Sequence, residues 1–329
     1  MELEKAFFEH TGHKPLLTRA LIEHVESQRV RIRNGEKTYI QLNLEGNSSE
    51  ESSRWFQDME AKGKPITIFY NHYQEMAKIL DVRSDADPFF KFNRTIPIHF
   101  VVQCPDPEDP KEFDLQKMKA RLEGWEQSWN KSVERQKLLE SVQTAKSTVP
   151  INKIIGLGLG SGNRPYKDYT HARFSYCQHL AACDIALELQ KLYGPDTEPI
   201  EIFGQDPEYT PNDKVILAHL NPPIATLEDP YGFLAIDKTT FVMSVHPNVP
   251  VRQIIADLAL ESNDACPAGV LWNYNPQWRE EGGDQDHTDP CSSRVEKMLE
   301  GFVLAEIFED DKEEDRNTFG KTAIWFRKL

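Results

Sequence analysis

The sequence is short of basic residues, of paired cysteines and of long apolar runs. Its 38 lysines and arginines face 53 aspartates and glutamates, a formal charge of −15. That balance argues against a broad nucleic-acid surface, which needs clustered cations. The five cysteines (Cys104, Cys177, Cys183, Cys266, Cys291) are scattered, odd in number and never spaced Cys-x-x-Cys. They outline neither a zinc knuckle nor a thioredoxin-like motif, and reduced thiols of a cytoplasmic, and also nuclear, protein are the expectation. No apolar run is long enough to span a bilayer and no signal peptide is recognisable, so no membrane partner is expected. Metal-type histidine spacing is missing as well. Asp284, Asp286, His287 and Asp289 cluster in a stretch that reads as an exposed loop, and no metal is assigned there.

What is present is enough apolar and aromatic residue, 39% and 10%, to build a sizeable core. The rest of the chain is organised around Ile151 to Asn163. An apolar run bounded by Pro150 turns into a ladder of glycines at Gly156, Gly158, Gly160 and Gly162, and Ala172 to Tyr193 then reads as a long amphipathic helix. A buried strand, a glycine-rich turn and a helix open the ligand crevice of doubly wound α/β proteins. Glycine lets a ligand approach the main chain, and unpaired amides at a helix start attract an anion.

The spacing narrows the choice. Asn163 stands where the dinucleotide fingerprint needs its third glycine, and no Walker Gly-Lys-Ser/Thr follows. Ser161 lacks the Gly-x-Ser-x-Gly elbow of a nucleophile. Gly158-Leu-Gly160-Ser-Gly162 instead fits the Gly-x-Gly-x-Gly loop of S-adenosylmethionine-dependent methyltransferases, with Gly156 in the place where that loop carries an acid. The bland alternative is that the glycines merely allow tight strand-to-helix packing.

In chain order, Pro15 to Gln28 reads as a helix, and Arg29 to Arg33 as a strand turning at Asn34-Gly35 into a partner from Thr38 to Leu44. Glu45 to Ser53 reads as a loop, Pro65 to Tyr70 as a strand, His72 to Leu80 as a helix and Ile96 to Val102 as a strand. Prolines and acids from Cys104 to Lys111 mark a linker, and Asp114 to Lys146 reads as one long helix. Thereafter strands at 199–204, 224–226, 233–236, 239–245, 269–273 and 322–326 alternate with helices at 212–219, 251–260 and 292–308. The expected organisation is an N-terminal α+β region (1–104), a linker and connecting helix (105–150), and a Rossmann-like, mostly parallel sheet with helices on both faces (151–329).

Ligands of such sheets bind beyond the carboxyl ends of the strands. The rule selects the Gly158 to Gly162 turn, Asp206, His246 and Asn273. Asp206 is suited to ribose hydroxyls and His246 to proton transfer or an anion contact; equally, Asp206 could cap the turn begun by Pro207, and His246 could cap its strand and pack against Tyr or Trp. Arg173, near the start of the following helix, could hold a phosphate or carboxylate or form a surface ion pair, and Gln178 lies on the same helix.

At these residues the chain resembles the "sensitivity to red light reduced" family. The likeness rests on Ile154-Ile-Gly-Leu-Gly158, Arg173 with Gln178-His179-Leu180-Ala181, Asp206-Pro207-Glu-Tyr-Thr210 with Asp213 and Leu217, and Thr240-Phe-Val-Met243 leading to His246. It covers about Ile151 to Trp278 and resembles a fungal member in its insert-rich form. Val245-His246-Pro247 departs from the family's usual Pro-His-Cys. The resemblance implies a regulatory protein, linked in relatives to light and clock responses, stress or haem metabolism, with protein partners and no settled reaction. Added to the residue reading, it gives a crevice lined by Gly156, Gly158, Gly160, Ser161, Gly162, Arg173, Gln178, Asp206 and His246 that takes a nucleotide-like ligand. The alternative is an S-adenosylmethionine-dependent enzyme using the same loop.

Overall fold

The computed structural model describes residues 2–81, 96–102, 115–163, 169–277, 288–309 and 318–329. The proline-rich segment after Cys104, and Asp284, Asp286 and His287, lie outside the described residues. In chain order the elements are α1 (Glu2–His10), α2 (Arg19–Arg33), β1 (Thr38–Leu42), β2 (Ser48–Ser52), α3 (Arg54–Glu60), β3 (Ile66–Tyr70), α4 (Tyr73–Asp81) and β4 (Ile98–Val102). They continue as α5 (Leu115–Asn130), α6 (Val133–Val142), β5 (Lys153–Leu157), α7 (Tyr169–Tyr193), β6 (Glu201–Gln205), α8 (Pro211–Ala218), β7 (Ile224–Thr226) and α9 (Tyr231–Leu234). The last are β8 (Thr240–Met243), α10 (Val251–Glu261), β9 (Gly269–Asn273), α11 (Ser293–Leu299), β10 (Phe302–Phe308) and β11 (Thr322–Arg327).

The chain divides into two units. One takes Met1–Asp106, Asn248–Ser262 and Pro276–Glu296; the other takes Pro107–Pro247, Asn263–Asn275 and Lys297–Leu329. The first unit therefore draws α10 out of the stretch that the sequence reading gave wholly to the α/β part.

Within the first unit, β1 pairs with β2 and β3 with β4, both antiparallel. Helix α2 corrects the sequence expectation at Arg29–Arg33. Ile22, Val25, Arg29 and Ile32 are buried at threes and fours, so the helical period overrides the alternation of charge. Asn34-Gly35 is its stop rather than a hairpin turn. Gly35 is left-handed (φ 85°), its amide donates to Ile32 O, and the Glu36 amide reaches Arg31 O. The partner of β1 is instead the wholly polar β2, in the stretch read as a loop. The unit is held by Asp257 of α10. Its Oδ2 accepts the Leu16 and Leu17 amides at 2.8 and 2.9 Å, and Oδ1 accepts Arg294 Nη1.

The second unit is built on a seven-stranded sheet in the order β10-β11-β9-β8-β5-β6-β7. Pairs β5–β6, β6–β7, β5–β8 and β8–β9 are parallel, while β11 runs against both of its neighbours. The chain winds outward from β5 to β7, then returns to β8 on the other side of β5. The strand order thus reverses between β5 and β8, where open α/β sheets form their crevice. Ile154, Ile155, Phe241, Val242, Val270 and Leu271 are fully buried, as expected of strands covered on both faces.

Helix α7 covers this sheet with Ala172, Ala181, Ile185 and Leu189, none of them exposed. Against it lie α5 and α6, which replace the single helix expected from Asp114 to Lys146. Ser132 breaks that helix: its hydroxyl donates to Trp129 O and accepts the Arg135 amide at the start of α6. Trp129 Nε1 and the Arg135 guanidinium then converge on Asp184 of α7 at 2.7–2.9 Å. Two further expectations fail. Residues 233–236 are not a strand, since Tyr231–Leu234 is a helical turn. The expected helix 292–308 divides at Gly301 into α11 and β10.

Candidate functional site

The residues that follow β5 make two left-handed steps, Gly158 (φ 68°) and Gly160 (φ 76°), a conformation in which glycine carries no steric cost. The loop is packed as well as bent. A Cβ on Gly160 would stand 2.5 Å from Ser175 Oγ of α7, and one on Gly158 2.9 Å from Pro247 Cβ. Gly156, within β5, admits Leu159, whose Cδ1 would lie 2.6 Å from an added Cβ. Gly162 is the loosest of the four, its nearest neighbour being Tyr176 Cβ at 3.5 Å.

Two carboxylates close the turn. The Gly160 amide donates to Asp206 Oδ2 at 2.6 Å. The Ser161 hydroxyl donates to Asp213 Oδ2 at 2.7 Å, and the Asn163 amide to Asp213 Oδ1 at 3.1 Å. Two of the amides expected to cradle an anion, those of Gly160 and Asn163, are therefore engaged by the protein's own acids. Both acids come from the segment after β6. Asp206 fixes its turn by accepting the Glu208 amide at 2.8 Å, and Asp213 forms a reciprocal capping box with Thr210 at the start of α8. Asp213 accepts from Ser161, Asn163 and both the amide and hydroxyl of Thr210, and it is 3% exposed.

Beneath this turn a buried histidine pairs with a half-buried tyrosine. His179 Nδ1 is 2.6 Å from Ser175 O, which can only accept, so Nδ1 carries the proton. Nε2 then accepts the Tyr209 hydroxyl at 2.6 Å. Burial pulls the imidazole down to about 4, keeping it neutral. Burial first, then the charges of Asp206 and Asp213, push the Tyr209 hydroxyl well above its ordinary range. The tyrosine needs Gly204 beside it, since a Cβ there would meet its oxygen at 2.8 Å.

On the other side of the strand-order reversal, Ser244 donates to Leu157 O at 2.8 Å, tying the ends of β5 and β8. His246 follows, exposed, in a left-handed backbone (φ 48°) that is uncommon for a residue with a side chain and disfavoured before proline. Its amide is pinned by Asn273 Oδ1 at 2.9 Å, from the end of β9. Among the described residues the imidazole has no hydrogen-bond partner.

Of the expected site residues, the glycine turn, Asp206 and the His246 segment meet at one end of the sheet. Arg173 turns to α5, its Nη2 donating to Ser128 Oγ at 3.2 Å. Gln178 Nε2 donates to Thr318 O, leading into β11, while its Oε1 is buried without a partner among the described residues. Asp213 was missed as a site residue, although Thr210-x-x-Asp213 after a proline-bounded strand is a readable capping box. Asp289 binds Arg252 in the other unit, and no cluster that could hold a metal occurs among the described residues.

No curated protein matches the chain. Among solved structures it is similar to a chain of the complex between the Haloferax volcanii Trm112 methyltransferase activator and a methyltransferase (16% identity, 68% of this chain and 98% of that one, TM-score 0.29). It is also similar to the methyltransferase domain of bacterial CtHen1 (17% identity, 59% and 98%, TM-score 0.30). A third, the small RNA methyltransferase HEN1, matches at 11% identity over 88% of this chain and 39% of its own (TM-score 0.27). The model of the SRR1 domain, named for sensitivity to red light reduced, matches residues 130–326, more than half of the sequence. The chain belongs to the SRR1 domain family.

Proposed function

We propose that this protein is a regulatory member of its family whose crevice, at the carboxyl ends of β5, β6 and β8, binds a small nucleotide-like molecule. The observation that carries the reading is the pairing of Asp206 with the Gly160 amide. It holds an acid at the end of the second strand against the glycine turn, where doubly wound proteins meet a ribose. His246, exposed and fixed through its amide by Asn273, supplies a polar contact on the opposite wall. The ligand state would be read by protein partners in the cytoplasm or nucleus.

The Gly-x-Gly-x-Gly spacing from Gly158 favours a second reading, an S-adenosylmethionine-dependent methyltransferase. Thermal melting of the full chain against adenosine, S-adenosylmethionine, S-adenosylhomocysteine, NAD, ATP and haem separates the two. A ligand at a hundred times its Kd adds about 2.7 kcal/mol to stability. Stabilisation by S-adenosylmethionine together with its turnover to S-adenosylhomocysteine supports the enzyme; stabilisation without turnover supports the regulatory reading. No response to any of the six contradicts both.

A further inference from the structure

Resting on that crevice reading, we infer that its ligand is a nucleoside-type molecule, neutral or cationic, that brings no phosphate to the glycine turn. Three of the groups that would receive a phosphate there already serve internal anions, and the two carboxylates set the charge of the turn. The Gly160 amide serves Asp206, and the Ser161 hydroxyl and the Asn163 amide serve Asp213. Neither carboxylate is placed to yield. Asp213 is buried and accepts from four donors, including its own helix cap, so moving it would strand all four. Asp206 is bound into the turn that begins Pro207-Glu208.

The usual counter-charge is also directed elsewhere. Arg173, near the start of the helix after the turn, donates to Ser128 of α5. Gln205 and Ser244, at the neighbouring strand ends, are engaged with Asp229 and Gly232 and with Leu157. A phosphate at the turn would face two carboxylates that already hold the Gly160 and Asn163 amides and the Ser161 hydroxyl. A ribose hydroxyl, an amine or a sulfonium would instead meet acceptors and negative charge, their complement.

The test compares adenosyl probes with and without phosphate, adenosine against ATP being the pair that differs in phosphate alone, on the full chain at constant ionic strength. Adenosine, S-adenosylhomocysteine and S-adenosylmethionine are set against ATP, NAD and inorganic phosphate, with Kd read by titration calorimetry. The expected result is at least ten-fold tighter binding of an adenosyl probe without phosphate than of ATP or NAD. Asp206→Asn removes the charge and keeps the shape and an acceptor. It is expected to narrow that gap ten-fold or more, mainly by strengthening ATP and phosphate. ATP or NAD binding as tightly as adenosine in the unaltered chain overturns the inference while leaving the crevice standing. So does an Asp206→Asn chain, folded by circular dichroism, whose preference is unchanged. If that variant does not fold, the comparison on the unaltered chain decides alone. Binding of no probe removes the crevice, and this inference with it.

Discussion

Ser161 and Asp213 lie 52 residues apart in the chain and 2.7 Å apart in the fold, hydroxyl to buried carboxylate. Asp213 is the hub of the clasp because three other donors also end on it. Removing the hub strands several buried groups; removing Ser161 leaves the acid well served. Asp213→Ala is expected to cost about 3 kcal/mol or more and Ser161→Ala about 1 kcal/mol. Denaturant unfolding of the two variants checks this, and equal losses would contradict the asymmetry.

The four glycines of the loop should not respond alike. Gly160→Ala faces both a left-handed backbone and Ser175 Oγ at 2.5 Å, and is expected to lose about 2–4 kcal/mol. Gly162→Ala has neither obstacle and should lose less than about 1 kcal/mol. Melting temperatures of the pair provide the check.

The buried imidazole of His179 makes stability depend on pH. Its folded value of about 4 lies below the ordinary value near 6.5, so folding favours the neutral form. The contribution is complete above pH 6.5 and is lost as pH falls from there through 4, because the unfolded chain binds the extra proton. Its full size is on the order of 3 kcal/mol. His99 of the other unit, also brought to about 4 by burial, should add a slope of the same sign. Stability measured from pH 7.5 down to 4 should fall, and His179→Gln should flatten the fall; an unchanged profile would tell against a buried neutral histidine.

The first unit depends on a residue of the family segment. Asp257→Ala would leave the Leu16 and Leu17 amides and Arg294, which also stacks 4.0 Å from the Phe8 ring, without their acid. The expected cost is about 3–5 kcal/mol, and limited proteolysis should then cut first among the opening residues. A variant as resistant as the parent would show that Asp257 does not secure that segment.

Much of the α/β unit was legible because its strands are continuous apolar runs whose ends are marked by proline and glycine. Gly269–Asn273 is a strand over the residues expected of it. The errors share a cause. Asn34-Gly35 serves a hairpin and a helix stop equally well, and only Glu300-Gly301 separates the helix from Phe302–Phe308, a break short enough for a helical reading to run through, so local pattern could not choose. β2, Ser-Ser-Glu-Glu-Ser, carries no apolar signal; pairing with β1 makes it a strand. At the site, sequence brought the glycine turn, Asp206 and His246 to one end of the sheet. It could not reveal that the Gly160 and Asn163 amides are taken by acids, because that depends on where Asp206 and Asp213 point after β6 has taken its place beside β5.

The nucleoside-type ligand is proposed to sit between the glycine turn and His246. Mapping amide chemical shifts of the isotopically labelled full chain on titration with S-adenosylhomocysteine tests it most directly. Saturable shifts are expected, confined to Gly158–Asn163, Asp206, Glu208, Tyr209, Ser244–His246 and Asn273. Shifts gathered in the helices around Asp257, or none at millimolar probe, would contradict it.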